Sequence, residues 1–128
     1  MSGSEKLPKS ERLCSERRIE ALFSGGRRGY VHPLKYCWLA AEATEGDAPV
    51  SVMFSVPKKA FKRAWKRNLI KRRIKESYRR RKQLLAGKTA DAGRRIDIAF
   101  ICSADTIPDF KTIDHAVERV LEQILARS

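Results

Sequence analysis

Apolar positions change their spacing several times along the chain, and each change marks an element. Over Ser15–Ser24, Ile19, Leu22 and Phe23 share one helical face, and Gly25-Gly26 supplies a stop. Arg27–Pro33 reads as loop. Leu34–Ala41, with Tyr36 and Trp38, predicts a strand closed by the polar turn Glu42–Pro49. Val50–Val56 predicts a second strand, ended by Pro57. The period then shifts from two to 3.6. From Ala64 to Leu85, the residues Ile70, Ile74, Ser77, Tyr78, Arg81 and Leu85 share one arc at ~100° per residue, which predicts a helix that buries them. Ala86–Arg95 reads as loop and Ile96–Cys102 as a central strand. Ile113–Leu125 is strongly amphipathic, with Thr112 or Asp109 placed to cap it. The order helix, strand, strand, helix, strand, helix predicts an α+β fold, a two-layer α/β sandwich of a small sheet and three helices.

The chain has 128 residues, of which 42% are hydrophobic, enough for one core and one domain. Residues 1–12, polar and containing Pro8, predict a mobile or loosely tethered arm, and residues 13–128 the domain. No apolar run approaches the ~18–20 residues of a membrane span, and the first twelve residues lack the apolar stretch of a secretory signal. Cys14, Cys37 and Cys102 have no metal-ligand spacing and read as reduced thiols of a cytoplasmic protein.

Charge changes the picture most. The formal net charge is +13. Between Lys58 and Lys82 lie fourteen basic residues opposed by Glu76 alone, while the other fourteen basic residues balance the other fourteen acidic ones. All the excess therefore sits in one segment, the footprint expected for a polyanion partner. On the predicted helix, Asn68, Lys71, Arg72, Lys75, Arg79 and Lys82 cluster roughly 80–200° from the apolar arc. Arg67, Arg72 and Arg79 could fork two hydrogen bonds onto a phosphate, whereas Lys71 and Lys75 act as mobile point charges. Asn68 either reads a base or sugar edge or satisfies local backbone. Phe23, Tyr36 and Trp38 either stack on bases or fill the core, and Tyr78 continues the core stripe.

Chemistry-bearing patterns are otherwise sparse. His32 and His115 lie near no triad or metal-ligand pattern, and the acidic residues are dispersed, so no catalytic residue and no metal ligand is assigned. Gly25, Gly26 and Gly29 have no phosphate-loop spacing. A helix-turn-helix DNA reader is disfavoured by the α/β context, and a membrane-surface helix by the core's need for the apolar stripe.

The segment Ser55-Val56-Pro57-Lys58-Lys59, followed by Arg67-Asn68-Leu69-Ile70-Lys71-Arg72-Arg73, resembles the signature of the bacterial ribonuclease P protein subunit. Ile19 and Phe23 before Gly25 match that family's apolar pair in its first helix, and Ile96–Ile101 matches its last strand; the likeness spans residues 11–126. Leu69 stands where the family usually has Arg, Ile19 where it is commonly aromatic, and Phe61-Lys62-Arg63 is longer and more basic than the usual turn.

The resemblance implies a small mixed sheet with a left-handed βαβ crossover from Val50–Val56 through the basic helix to Ile96–Cys102, against the usual hand. It also implies a subunit of a ribonucleoprotein endonuclease that removes 5′ leaders from precursor tRNA. The partner RNA would hold the catalytic Mg2+ ions and break the bond, and the protein alone would bind no cofactor. Implied RNA contacts are Lys58, Lys59, Lys66, Arg67, Asn68, Lys71, Arg72, Lys75 and Arg79. A leader cleft between sheet and first helix would draw on Ile19, Phe23, Tyr36 and Trp38. The rival reading is a structural RNA-binding protein of ribosomal type.

Overall fold

The computed structural model describes residues 11–43, 48–83, 85 and 93–127. Its elements are α1 (Glu16–Gly25), β1 (Arg27–Val31), β2 (Leu34–Glu42), β3 (Val50–Ser55), α2 (Ala64–Arg81), β4 (Arg94–Cys102) and α3 (Phe110–Arg127). The strands form one mixed sheet in the order β1-β2-β4-β3. β1–β2 and β2–β4 are antiparallel, and β3–β4 is parallel. The β3–α2–β4 connection is thus a βαβ unit with adjacent parallel strands.

Three helices and three of the strands lie where the apolar periods place them. The fourth strand corrects the reading of Arg27–Pro33 as loop, because Arg27–Val31 pairs with Leu34–Trp38 as a hairpin. Its two arginines, Gly29 and partly exposed Tyr30 give no period-two signal, since an edge strand is specified by its ladder rather than by burial. Gly29 is required there: a Cβ at that position would run into the Tyr36 ring opposite. Of the expected arm, residues 1–10 lie outside the described residues. Its last two are tethered, Arg12 bridging Val52 and Glu11 accepting a 2.7 Å ion pair from Lys82. The central parts of the turns 42–49 and 86–95, residues 44–47 and 86–92, also lie outside.

Alternation along the strands divides the apolar residues between two faces. Tyr36, Trp38, Val52, Ile98 and Phe100 face α2 and α3 and join Ile70, Ile74, Tyr78, Ile113, Val117, Val120, Leu121 and Ile124 in the main core. Cys37, Ala99 and Met53 face the other way and pack with Leu13, Ile19, Leu22 and Phe23. So α1 crosses the face opposite α2 and α3. Ser15 caps α1 by accepting from the Arg18 amide, and Asp109 caps α3 by accepting from the Thr112 amide at 2.8 Å.

A clasp fixes α1 to the sheet. Arg18 holds Asp97, in the middle of β4, through Nε to Oδ2 at 3.1 Å and Nη2 to Oδ1. Asp97 is one of three buried polar or charged residues among those described, with Ser51 and Ser77.

Candidate nucleic-acid interface

Helix α2 sorts its cations by what faces them. Towards α3, Arg81 pairs with Asp114 at 2.7 Å and Glu118 at 3.1 Å, while Ser77 donates to Asp114 at 2.6 Å. Those hydrogen bonds, Arg81 first, hold the Asp114 carboxyl below the usual carboxylate range. Arg73 donates to the Pro108 carbonyl at 2.6 Å. Arg79 and Arg80 both pair with Glu76 at 2.9 Å, and their hydrogen bonds push the Glu76 carboxyl down as well.

Arg67 turns back along the chain. Its Nη1 donates to the carbonyls of Phe61 at 2.7 Å and Lys62 at 2.8 Å. It thereby closes the turn before α2, whose N-cap Arg63 makes no side-chain cap. Phe61 is buried in the core, and its part-buried carbonyl is satisfied by this donor.

Lys71, Arg72 and Lys75 have no such partner among the described residues. They line a groove of about 450 Å³ together with Asn68 on α2, Arg12, Leu13 and Cys14 of the N-terminal segment, and Val52, Met53 and Phe54 of β3. Arg72 and Asn68 are exposed. None of Asn68, Lys71, Arg72 and Lys75 has an ion pair or side-chain hydrogen bond among the described residues. The Asn68 amide is thus not spent on local backbone, which leaves its donors and acceptor directed to the groove. One wall is cationic and the other, apart from Arg12, apolar, as a strand of linked phosphates and bases would require.

Ile19 and Phe23 lie on the α1 side, half-buried and packed with Leu39 and Met53. Met53 and Leu13 belong both to that cluster and to the groove, so the two surfaces adjoin. Tyr36 and Trp38 must be removed from the cleft. Both point to the opposite face, 2% and 4% exposed, with the Tyr36 hydroxyl donating to Gln123 on α3 and Arg27 over the Trp38 ring. The reason is strand alternation: Cys37 and Leu39, not Tyr36 and Trp38, pack in the cluster with α1. Leu69 is half-buried and outside the groove lining, while Lys58 and Lys59 lie exposed in the turn before α2. Lys66 sits at the start of the helix with its ammonium 5.7 Å from the Trp65 ring centroid.

Residues missed from sequence are Arg12, Leu13, Cys14, Val52, Met53 and Phe54. A period-two reading of Val50–Ser55 puts Met53 opposite Val52 and Phe54, and the apolar pair Leu13-Cys14 interrupts a polar stretch; those were the available signals. The three cysteines are free thiols, and burial pushes those of Cys37 and Cys102 up. Among the described residues no three His, Cys, Asp or Glu side chains gather as a metal would need, and no helix is long and apolar enough to cross a membrane.

Comparisons with known proteins show the family and the fold. The ribonuclease P family model matches residues 7–125. A ribonuclease P protein component from Porphyromonas gingivalis is 38% identical over 119 residues, covering 92% of this chain and 85% of the relative. One from Chlorobaculum tepidum is 33% identical over 128 residues, covering 94% and 83%. The Staphylococcus aureus RNase P protein superposes with a TM-score of 0.70 at 20% identity, covering 91% of this chain and 96% of that one, a likeness of fold. Groove, basic helix and sequence kinship together place the chain in the ribonuclease P protein family.

Proposed function

We propose that this chain is the protein subunit of ribonuclease P and assists a catalytic RNA in the endonucleolytic removal of 5′ leaders from precursor tRNA in the cytoplasm. The observation that carries the reading is the groove whose one wall, Lys71, Arg72 and Lys75, is cationic without an ion-pair partner among the described residues, and whose other wall is mainly apolar. The outward cations neutralise phosphates and release counterions, which makes binding tight and strongly salt-dependent. Asn68 and the apolar wall supply hydrogen-bonding and packing surface for an unpaired leader.

Phosphodiester hydrolysis is assigned to the RNA and its Mg2+. The protein's contribution is to position the leader and to screen the charge between two polyanions. The test is reconstitution. Purified protein added to the catalytic RNA of its own organism should restore cleavage of precursor tRNA at low magnesium, where RNA alone is slow. Tight RNA binding without restored cleavage would instead support the structural, ribosomal-type reading.

A further inference from the structure

Helix α2 also carries a feature that the groove does not use. Trp65, in its first turn, is 58% exposed, and Trp65 and Tyr30 are the exposed large hydrophobic side chains among the described residues. Tyr30 has a local partner in the His32 ring, its hydroxyl 2.9 Å from Nδ1. No other aromatic ring among the described residues packs on Trp65, whose ring interaction is with the Lys66 ammonium. Leaving an indole in water forgoes the stabilisation that burial would give.

Its position supplies a use. At 100° per residue Trp65 lies roughly 20° around the helix from Arg72 and about 10 Å below it along the axis. Trp65, Asn68 and Arg72 therefore form one stripe at helical spacing, with the indole at its N-terminal end. Lys62, Arg63 and Lys66 flank the ring in sequence, and the first turn holds no acidic residue. An aromatic plane surrounded by cations, continuous with a phosphate-binding stripe, matches a nucleotide's own pairing of π-face and negative charge. An acidic protein partner would use the cations but does not carry a planar group beside each negative charge, as a nucleic acid does.

We propose that Trp65 is a stacking platform for one unpaired nucleobase of the bound RNA, with the strand's phosphates continuing along Arg72 and Lys75. The inference rests on the α2 face being the RNA-binding face, and it adds a contact beyond the groove. Stacking neutralises no phosphate, so its loss lowers affinity without changing the salt dependence, whereas loss of the cations changes the slope.

The experiment uses the full chain and two probes, a 12-nucleotide single-stranded oligoadenylate and heparin, a polyanion without bases. Trp38 is buried and Trp65 exposed, so their emissions separate. Oligoadenylate should quench the red-shifted Trp65 component, and heparin should leave it largely unquenched. Trp65→Ala should weaken oligoadenylate binding about 5- to 150-fold at every salt concentration with the slope unchanged. Trp65→Phe should keep most of the affinity, which also guards against a folding defect. Equal quenching by heparin, or full affinity in Trp65→Ala, overturns the platform. Absence of salt-dependent binding in the wild type would overturn the basic-face reading itself, so the two failures are distinguishable.

Discussion

Replacing Arg18 by Ala removes the guanidinium that faces Asp97 and leaves a carboxylate on the buried face of the sheet. The side chains of the pair are 26% and 4% exposed. Breaking a buried ion pair from one side costs about 3–5 kcal/mol, because the surviving charge loses its partner without regaining full hydration. Arg18 is a quarter exposed, and the gap it leaves admits water, so the lower end applies, about 3 kcal/mol. For a domain of this size that corresponds to a fall of roughly 10–15 °C in Tm. The decisive comparison is the double variant. Asp97→Asn alone leaves Arg18 opposite a neutral amide, and adding it to Arg18→Ala removes the stranded charge, so the double variant should melt above Arg18→Ala. Urea and thermal denaturation of the four proteins give the coupling energy directly. Additive losses, or an Arg18→Ala cost below about 1 kcal/mol, would refute the clasp. Since α1 carries Ile19 and Phe23, Arg18→Ala should also loosen the apolar neighbour of the groove.

Other expectations follow from the sorting of α2. Replacing Lys71, Arg72 and Lys75 together by Ala should lower the slope of log K against log salt by about 2, at roughly 0.7 per phosphate contact on a single strand, as read by RNA binding over a salt series. Phe23→Ala should weaken binding of leader-containing precursor more than of mature tRNA; equal losses would make Phe23 a packing residue only. Asp114 titrates below its ordinary range, so the unfolded chain takes up its proton first as pH falls. Its contribution is full above the unfolded value of about 3.9 and is lost as pH drops through the lower folded value. Asp114→Asn should therefore flatten the acid limb of stability below about pH 4 in urea titrations at stepped pH.

Much of this was legible in the residues and some of it was not. The period-3.6 stripes of α1, α2 and α3 and the apolar runs of β2, β3 and β4 locate those elements because burial of one face leaves its spacing in the sequence. β1 left no such trace, since its place depends on backbone hydrogen bonds to β2. Tyr36 and Trp38 could be read as core or as cleft, because alternation says that two residues share a side without saying what covers it.

By itself the sequence determined where the three helices and three of the four strands form, that all the excess charge lies in Lys58–Lys82, and which ordered motif that segment carries. Only the tertiary structure decided which cations are available to a partner. Arg81 meets Asp114 across 33 positions, Arg73 meets the Pro108 carbonyl across 35, and Lys82 meets Glu11 across 71. A charge count cannot register such pairings. Neutralisation acts over a few ångströms of space, and chain folding, not adjacency in sequence, sets which groups lie that close.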